Sequence, residues 1–410
     1  LSETFFTPSG GTPLTEKVRP PLDKGGLQGG LRGRGSLKSS PNQVRMQRGA
    51  TSFSSNATSR QIRQKLLEMT GDPDDRVLFQ LLCTLGTNVD ESALAALTTI
   101  TLAHIEDSWF QIAALSAVPV SGSSWFRAVE RQSGFLSSPS RGKEDFLRRA
   151  ASIVGAKQDN REMAVLLAAV NRSTGADWWR VATLAGLAEG IQRGGRRQVA
   201  LSRTAQVMLS NLLGASPKVV AAALDVIEKA ALPDLPRLQT AIQGSAASAR
   251  DEKNPLEVRV NAVRLLGLDR SNTSLTLLDQ LLVPQQPTEI QRAAANSLLA
   301  RGDPTAVQIL IDKWKGFPVP VSEAVWNGLL RNTQPLNRLF DAIEAGKIQP
   351  FSFNVARVNQ LLHHSDDGVR KRAKTLFAEV AGDRQKIISS YHDAASRRGE
   401  VARGKEVFRA

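Results

Sequence analysis

Four histidines are the first residues to test for chemistry, because imidazole can bind a metal ion or exchange a proton near neutral pH. Two of them, His363 and His364, are adjacent, and Asp366 and Asp367 follow. Together they could supply metal ligands. Neighbouring residues of a helix point about 100° apart, however, so the two rings do not converge readily on one ion. We therefore favour a solvated helix end, with the aspartates near the N-terminus of the next helix.

Two adjacent tryptophans, Trp178 and Trp179, precede Arg180 and could stack on a base or a sugar. Such a cluster more often consists of one buried ring and one surface ring. Both interpretations stay open, and we treat Trp178 and Trp179 as candidate partner-binding residues.

Three consecutive cations, Arg370, Lys371 and Arg372, lie at the start of a predicted helix. Positive charge is mildly unfavourable at a helix N-terminus, so this placement favours a role in binding. We predict that these residues contact an acidic protein partner.

Motifs of common catalytic and cofactor sites are missing from the sequence, including Gly-x-Ser-x-Gly, His-Glu-x-x-His and the EF-hand loop. The glycine-rich stretch 24–35 lacks the Gly-Lys-Ser/Thr ending and the preceding strand of a P-loop. One cysteine, Cys83, cannot form an internal disulfide or a Cys-rich metal site, and its apolar neighbours predict a buried side chain. We expect no catalytic, cofactor or metal site in this chain.

Helical periodicity dominates residues 59–398. Apolar residues recur at helical spacing and are interrupted by short breaks of Pro, Gly, Asp, Asn and Ser. Aromatic residues make up only 5% of the chain, which suits helix packing better than sheets. Helix-start signals, each a capping residue before proline, occur at Asp72, Ser216, Asn254 and Asp303. The sequence predicts an all-α fold.

Several helix starts resemble one another, which indicates an internal repeat. Their apolar anchor residues are Val77, Trp109, Val258, Ile290, Val321 and Val369. The spacing is about 32 residues in the regular parts, a period typical of stacked helix pairs. We predict antiparallel pairs that bury their apolar faces only against neighbouring pairs.

The turn pattern Pro/Asp-x-x-Val-Arg followed by Ala resembles HEAT repeats. Arg259 and Arg370 occupy the arginine position of that motif. Leu78, Phe110, Gln291 and Ser322 depart from it at the same position, so the polar ladder between repeats that the family implies is in doubt here. The resemblance implies a HEAT-like α-solenoid over residues 59–398.

Residues 1–58 are rich in Gly, Pro, Ser and Arg and show no helical or strand period. We predict a disordered leader, with an RNA-binding Gly-Arg segment as the alternative. Residues 1–60 hold nine Lys/Arg and three acidic residues, and this net charge of +6 is part of the chain's +14. The remainder is modestly basic for its length, so we regard nucleic acid as the less favoured partner. No run is long and apolar enough for a membrane span.

The segment Arg403-Gly404-Lys405-Glu-Val407-Phe408 resembles the opening helix of a class I c-type cytochrome domain. The whole pattern is similar to exported bacterial proteins that join a sugar-dehydrogenase-like β-propeller, HEAT repeats and a C-terminal c-type cytochrome. This resemblance implies that 399–410 begins a cytochrome domain whose haem c attaches further along a longer protein. It also implies a periplasmic or exported location, with propeller and cytochrome domains as neighbours.

Three functions remain in view. The first is a scaffold or spacer within a periplasmic electron-transfer dehydrogenase that carries haem c. The second is a stand-alone HEAT-like scaffold that binds protein or nucleic acid. The third is an enzyme built on this architecture, with a carboxylate beside aromatic rings near Trp178.

Overall fold

The chain divides into two units, Leu1–Asn56 and Ala57–Ala410. The computed structural model describes residues 57–87, 89–117, 120–172, 175–195, 199–231, 235–377, 391 and 399–409. The leader expected at 1–58 lies outside the described residues, except for its last two residues, which open the first helix.

The described part of the chain is all-α, as predicted. The helices are α1 (Ala57–Glu68), α2 (Asp75–Leu85), α3 (Glu91–Ala103), α4 (Ser108–Leu115), α5 (Gly122–Glu130), α6 (Arg141–Lys157), α7 (Asn160–Arg172), α8 (Asp177–Arg193), α9 (Arg203–Asn211), α10 (Pro217–Ile227), α11 (Pro236–Arg250), α12 (Leu256–Leu268), α13 (Asn272–Gln280), α14 (Thr288–Arg301), α15 (Pro304–Asp312), α16 (Val319–Leu329), α17 (Thr333–Glu344), α18 (Val355–Leu362), α19 (Asp367–Leu376) and α20 (Val401–Arg409).

Short 3₁₀ turns at Met69–Gly71, Leu212–Gly214, Trp314–Gly316 and Pro350–Ser352 connect some of the helices. The only strands among the described residues are β1 (Val199–Ala200) and β2 (Ala230–Ala231), which pair in parallel. Each strand spans two residues, so the pairing connects two short segments between helices and does not form the core of a sheet.

Helices two apart along the chain pack against one another. Each even-numbered helix from α2 to α14 contacts the next even-numbered one. Contacts of the same kind join α1, α3, α5, α7, α9 and α11 in turn, and they also join α15 to α17 and α17 to α19. The buried side chains form two clusters: one extends from Leu78 to Leu265 and the other from Ala249 to Phe377. The core is therefore drawn out along the chain and is built from neighbouring helices.

Helices α6 and α8 approach each other closely, because glycines replace side chains between them. A Cβ added to Gly190 would come within 2.0 Å of the carbonyl oxygen of Ser152. A Cβ on Gly186 would come within 2.1 Å of the carbonyl oxygen of Arg148. Only a residue without a side chain allows the two backbones to come this close.

The predicted helix starts have mixed outcomes. Asp303 caps α15 through the backbone N–H of Ala306 at 2.8 Å, as expected. At the first site the prediction is wrong: α2 is capped by Asp74, and Asp72 instead accepts from the N–H of Asp74. Ser216 occupies the N-cap position of α10, but its hydroxyl donates to Asp177 and accepts no backbone N–H. At Asn254 the prediction is wrong, because Pro255 takes the N-cap position of α12.

Three of the six predicted anchor residues are buried, whereas Val77 and Val258 are only half-buried. Ile290, Val321 and Val369 are each at most 1% exposed. Trp109 is not an anchor, since it is 68% exposed and the next residue, Phe110, is buried in its place. Asp107 caps this helix, so the repeat begins one residue later than the sequence spacing predicts.

Candidate partner-binding surfaces

The tryptophan pair lies in the first turn of α8. Trp179 is 3% exposed, and its ring centroid lies 5.9 Å from that of Phe126. Trp178 is half-buried, and its Nε1 is buried without a hydrogen-bond acceptor among the described residues. Most of the surface of both rings is therefore occupied by packing.

Arg180, which follows the pair, is also buried. Its Nε donates to the carbonyl oxygen of Val170 at 3.1 Å, and its Nη1 donates to Asp177 at 3.2 Å. The other carboxylate oxygen of Asp177 accepts from the hydroxyl of Ser216 at 2.5 Å. This chain of bonds joins the start of α8 to the start of α10.

The predicted basic site at α19 is occupied by intramolecular contacts. Arg370 donates to the carbonyl oxygens of His364 and Ser365 at 2.7 and 2.8 Å. Lys371 pairs with Asp367 at 2.8 Å. The hydrogen bond from Lys371, together with the charge of Arg370, outweighs burial and holds the pKa of Asp367 below its ordinary value.

Arg372 is the most strongly held of the three cations. It pairs with Glu344 at 2.6 Å and with Asp341, and its guanidinium lies 5.4 Å from the ring centroid of Phe340. The hydrogen bond to Glu344 outweighs burial and, with Asp341, raises the pKa of Arg372 well above its ordinary value. These contacts fasten α19 to α17.

The adjacent histidines make separate contacts. Nδ1 of His363 lies 2.9 Å from the carbonyl oxygen of Asn359. Nδ1 of His364 accepts the backbone N–H of Asp366 at 3.1 Å, and its Nε2 lies 3.5 Å from the carbonyl oxygen of Leu330. The carboxylate of Asp366 caps α19, where the helix dipole favours negative charge.

A side-chain hydrogen bond recurs at one position near the start of six helices. The HEAT resemblance predicts arginine at this position, but three of the six residues are glutamine. The fourth residue after the N-cap donates from its side chain to a carbonyl oxygen that precedes the helix, at 2.6–3.1 Å. The residues are Gln111, Arg180, Gln206, Arg259, Gln291 and Arg370. Glutamine thus replaces arginine in three helices, and the expectation that Gln291 breaks the pattern is wrong.

Arg259 and Gln291 are also connected through one intermediate residue. Nη2 of Arg259 donates to Oε1 of Gln286 at 2.7 Å. The carbonyl oxygen of the same glutamine accepts Nε2 of Gln291 at 2.8 Å. A polar link therefore runs from the start of α12 to the start of α14.

Acid–cation pairs between helices two apart are a feature that the sequence reasoning missed. The N–O distances in these pairs are 2.6–3.5 Å. The pairs are Asp279–Lys313, Asp312–Lys347, Glu323–Arg357 and Glu344–Arg372. The signal was present as charges recurring about one repeat apart, but only the packing shows which ones meet.

A cleft of about 330 Å³ crosses α10, α12 and α14. Arg264 lies in it, 2.7 Å from both Asp225 and Glu228. Burial lowers the pKa of Arg264, but the hydrogen bonds and charges of these carboxylates outweigh burial and raise it. Glu289 and Arg292 also line the cleft, so its charge is nearly balanced.

Comparison with known proteins finds no matching family model and no matching curated protein. The residues above are therefore interpreted from their own geometry.

Two further observations concern cofactors and membranes. The described residues contain no group of three or more His, Cys, Asp or Glu side chains placed to hold a metal ion. Within the same part of the chain, no helix combines the length and apolar character needed to cross a membrane.

Cys83, expected in the core, is exposed, because α2 buries Leu78, Leu81, Leu82 and Leu85 on its other face.

Proposed function

We propose that residues 59–398 form a HEAT-like α-solenoid of antiparallel helix pairs that acts as a scaffold for partner domains. The observation that carries this proposal is the sequence separation of the hydrogen bonds between helices two apart. Gln111 binds the carbonyl oxygen of Gly142, 31 residues later, and Asn261 binds that of Pro217, 44 residues earlier. Stacked helix pairs of 30–45 residues produce this separation.

The contacts of the polar residues favour a scaffold over a catalyst. Three buried or half-buried arginines donate hydrogen bonds to carbonyl oxygens and carboxylates of the same chain. They are Arg180, Arg259 and Arg372. Such bonds fix the angle and distance between helices. A protein organised in this way offers partners a surface of defined geometry, and this is the role that we assign to it.

We also propose that the scaffold is the spacer of a periplasmic, haem c-containing dehydrogenase, between a β-propeller and a cytochrome domain. The support is the resemblance of the segment Arg403–Phe408 together with the exposure of α20. Val407 is 72% exposed and Phe408 93% exposed on this nine-residue helix. Apolar side chains on an amphipathic helix normally pack against a partner surface, and a cytochrome domain would supply one.

The solenoid is tested by hydrogen exchange on Arg259→Ala. Each unit of a repeat array contacts only its neighbours, so a local defect stays local. We expect amides of α11 to α14 to lose protection, whereas amides of α4 to α6 keep theirs. Equal loss of protection throughout would indicate one cooperative core and would contradict the solenoid.

The spacer role is tested by sequencing the gene beyond the codon for Ala410 and by assaying the full-length gene product for covalent haem. The proposal requires a Cys-x-x-Cys-His segment shortly downstream and a pyridine haemochrome spectrum of the c type. A downstream sequence without that motif would remove the haem role and leave a scaffold whose partners must be found by other means.

A further inference from the structure

An apolar groove of about 480 Å³ crosses the outer faces of α4, α6 and α8. Ile112, Leu115 and Ile153 supply its aliphatic surface, and the buried Ser152 also lines it. Trp109 lies one helical turn before Ile112 and therefore on the same face of α4. We name the residues Trp109, Ile112, Leu115 and Ile153 the α4–α6 groove.

An exposed tryptophan distinguishes this groove from the rest of the described surface. Trp109 is 68% exposed and Ile112 48% exposed. The other tryptophans of the chain are buried or half-buried. An exposed tryptophan beside aliphatic side chains is the arrangement found at the centres of protein interfaces, where tryptophan and arginine contribute most binding energy.

Arginines line the groove, and their ion pairs are loose. Arg148 and Arg193 approach Glu189 only to 4.0 and 3.8 Å, and Arg141 approaches Asp145 only to 3.9 Å. Pairs of this length on a surface contribute little. In contrast, the guanidinium of Arg264, which holds α12 to α10, lies 2.7 Å from each of its carboxylates.

The groove arginines therefore keep most of their donors available. Arg149 uses Nη1 on the carbonyl oxygen of Ser108 at 3.2 Å, and Arg193 uses Nη1 on the hydroxyl of Ser152 at 3.2 Å. A guanidinium has five N–H donors, so each of these can still receive a carboxylate in a bidentate arrangement. The three arginines of the lining outnumber Asp145 and Glu189 by one, and the lining is net positive.

We propose that the α4–α6 groove binds an acidic protein segment that inserts a bulky apolar side chain beside Trp109. This proposal names a partner class for the proposed scaffold, and it moves the acidic-partner site from Arg370–Arg372, whose cations are already paired, to α4, α6 and α8. Nucleic acid fits the groove less well. It offers a base to Trp109, but no bulky aliphatic side chain to Ile112, Leu115 and Ile153.

The test uses the full chain and fluorescein-labelled synthetic peptides with a central leucine or phenylalanine flanked by Asp and Glu. The same peptides with Lys in place of the acids, and a labelled oligo(dT), serve as comparison probes. We expect anisotropy to report binding of the acidic peptides alone. Binding should also protect Trp109 from iodide quenching, because it is the most exposed tryptophan.

Matched variants locate the site. Trp109→Ala and Arg149→Glu should each weaken peptide binding at least about tenfold, whereas Arg203→Glu, on the exposed surface of α9, should leave it unchanged. The double variant Arg148→Glu with Arg149→Glu should gain affinity for the lysine peptides, and this gain excludes unfolding as the cause. Equal binding by all variants, failure of every acidic peptide to bind, or preference for oligo(dT) would overturn the proposal. None of these outcomes affects the hydrogen-exchange test of the solenoid.

Discussion

Arg259 donates through Nε to the carbonyl oxygen of Ala249, ten residues earlier in the chain, at 3.1 Å. Arg180 makes the same bond to Val170, also ten residues earlier and also at 3.1 Å. In both cases a buried arginine in the first turn of one helix satisfies a carbonyl in the last turn of the preceding helix. The bond therefore holds two consecutive helices together. Removing the arginine side chain should lower the free energy of unfolding.

Replacing Arg259 with alanine should destabilise the chain. The substitution leaves the carbonyl of Ala249 and the side chain of Gln286 without a buried donor. An unsatisfied buried acceptor costs about 1–3 kcal/mol of unfolding free energy. Urea denaturation followed by circular dichroism measures the change.

Arg292 provides the matched control, because it is exposed on α14 and makes no hydrogen bond or ion pair with the described residues. Arg292→Ala should change the unfolding free energy by less than about 0.5 kcal/mol. If the two alanine variants lost the same stability, the bond between Arg259 and Ala249 would not be the reason for the loss.

The sequence predicts helix type well, because helix type depends on local periodicity, and it predicts three of the six buried anchors. It predicts the exact register less well. Phe110 occupies the anchor position and Gln111 the polar position of α4, one residue later than the Trp109 spacing suggests. The cap at Asp107 sets this register, and a cap depends on backbone geometry that the periodicity of apolar residues does not contain.

Contacts between helices were the least predictable part. Nζ of Lys313 lies 2.6 Å from Asp279, although 34 residues separate them. Many cations are equally far from an acid in sequence, and only the folded chain shows that Lys313, just after α15, meets Asp279 at the end of α13. The groove beside Trp109 was equally unpredictable from the sequence, because its residues come from three helices. Its arginines come from α6 and α8, whereas its apolar face comes largely from α4.

Cys83 should react rapidly in the native protein, because it is exposed on α2. We expect Ellman's reagent to titrate one thiol per folded chain at a rate close to that of the urea-unfolded chain. If the thiol reacts only after unfolding, Cys83 is buried, as its apolar neighbours in the sequence predict.

Stability should fall in acid, and Asp269 should contribute to this loss. Burial raises the pKa of Asp269, but hydrogen bonds from Ser271 and Ser274, together with the charge of Arg301, outweigh burial and lower it. A carboxyl whose pKa is lower in the folded state stabilises the fold above its unfolded pKa of about 3.9. The contribution is lost as the pH falls through the lower, folded value.

Asp269→Asn removes this ionisation, so its unfolding free energy should decline less steeply than that of the parent as the pH falls below about 4. Ser274→Ala removes one of the hydrogen bonds and should give an intermediate slope. The measurement is the urea midpoint as a function of pH. A slope in Asp269→Asn that equals the parent's would assign the acid sensitivity to other carboxyls.

Gly190 should tolerate no side chain. The Cβ of an alanine would lie 2.0 Å from the carbonyl oxygen of Ser152 and 2.8 Å from the backbone nitrogen of Ala156. These are backbone atoms of α6, so α6 and α8 would have to move apart. Gly190→Ala should therefore cost at least about 3 kcal/mol of unfolding free energy, at the upper end for overpacked cores.

Gly244 gives the opposite result for the same chemical change. It lies within α11, and a Cβ there would meet nothing within 4 Å. Since alanine is the better helix former, Gly244→Ala should stabilise the chain by about 0.5–1 kcal/mol. The two variants separate the effect of a steric clash from the effect of helix propensity. If both changed the free energy of unfolding by similar amounts, α6 and α8 would not approach each other as closely as the structure shows at Gly190.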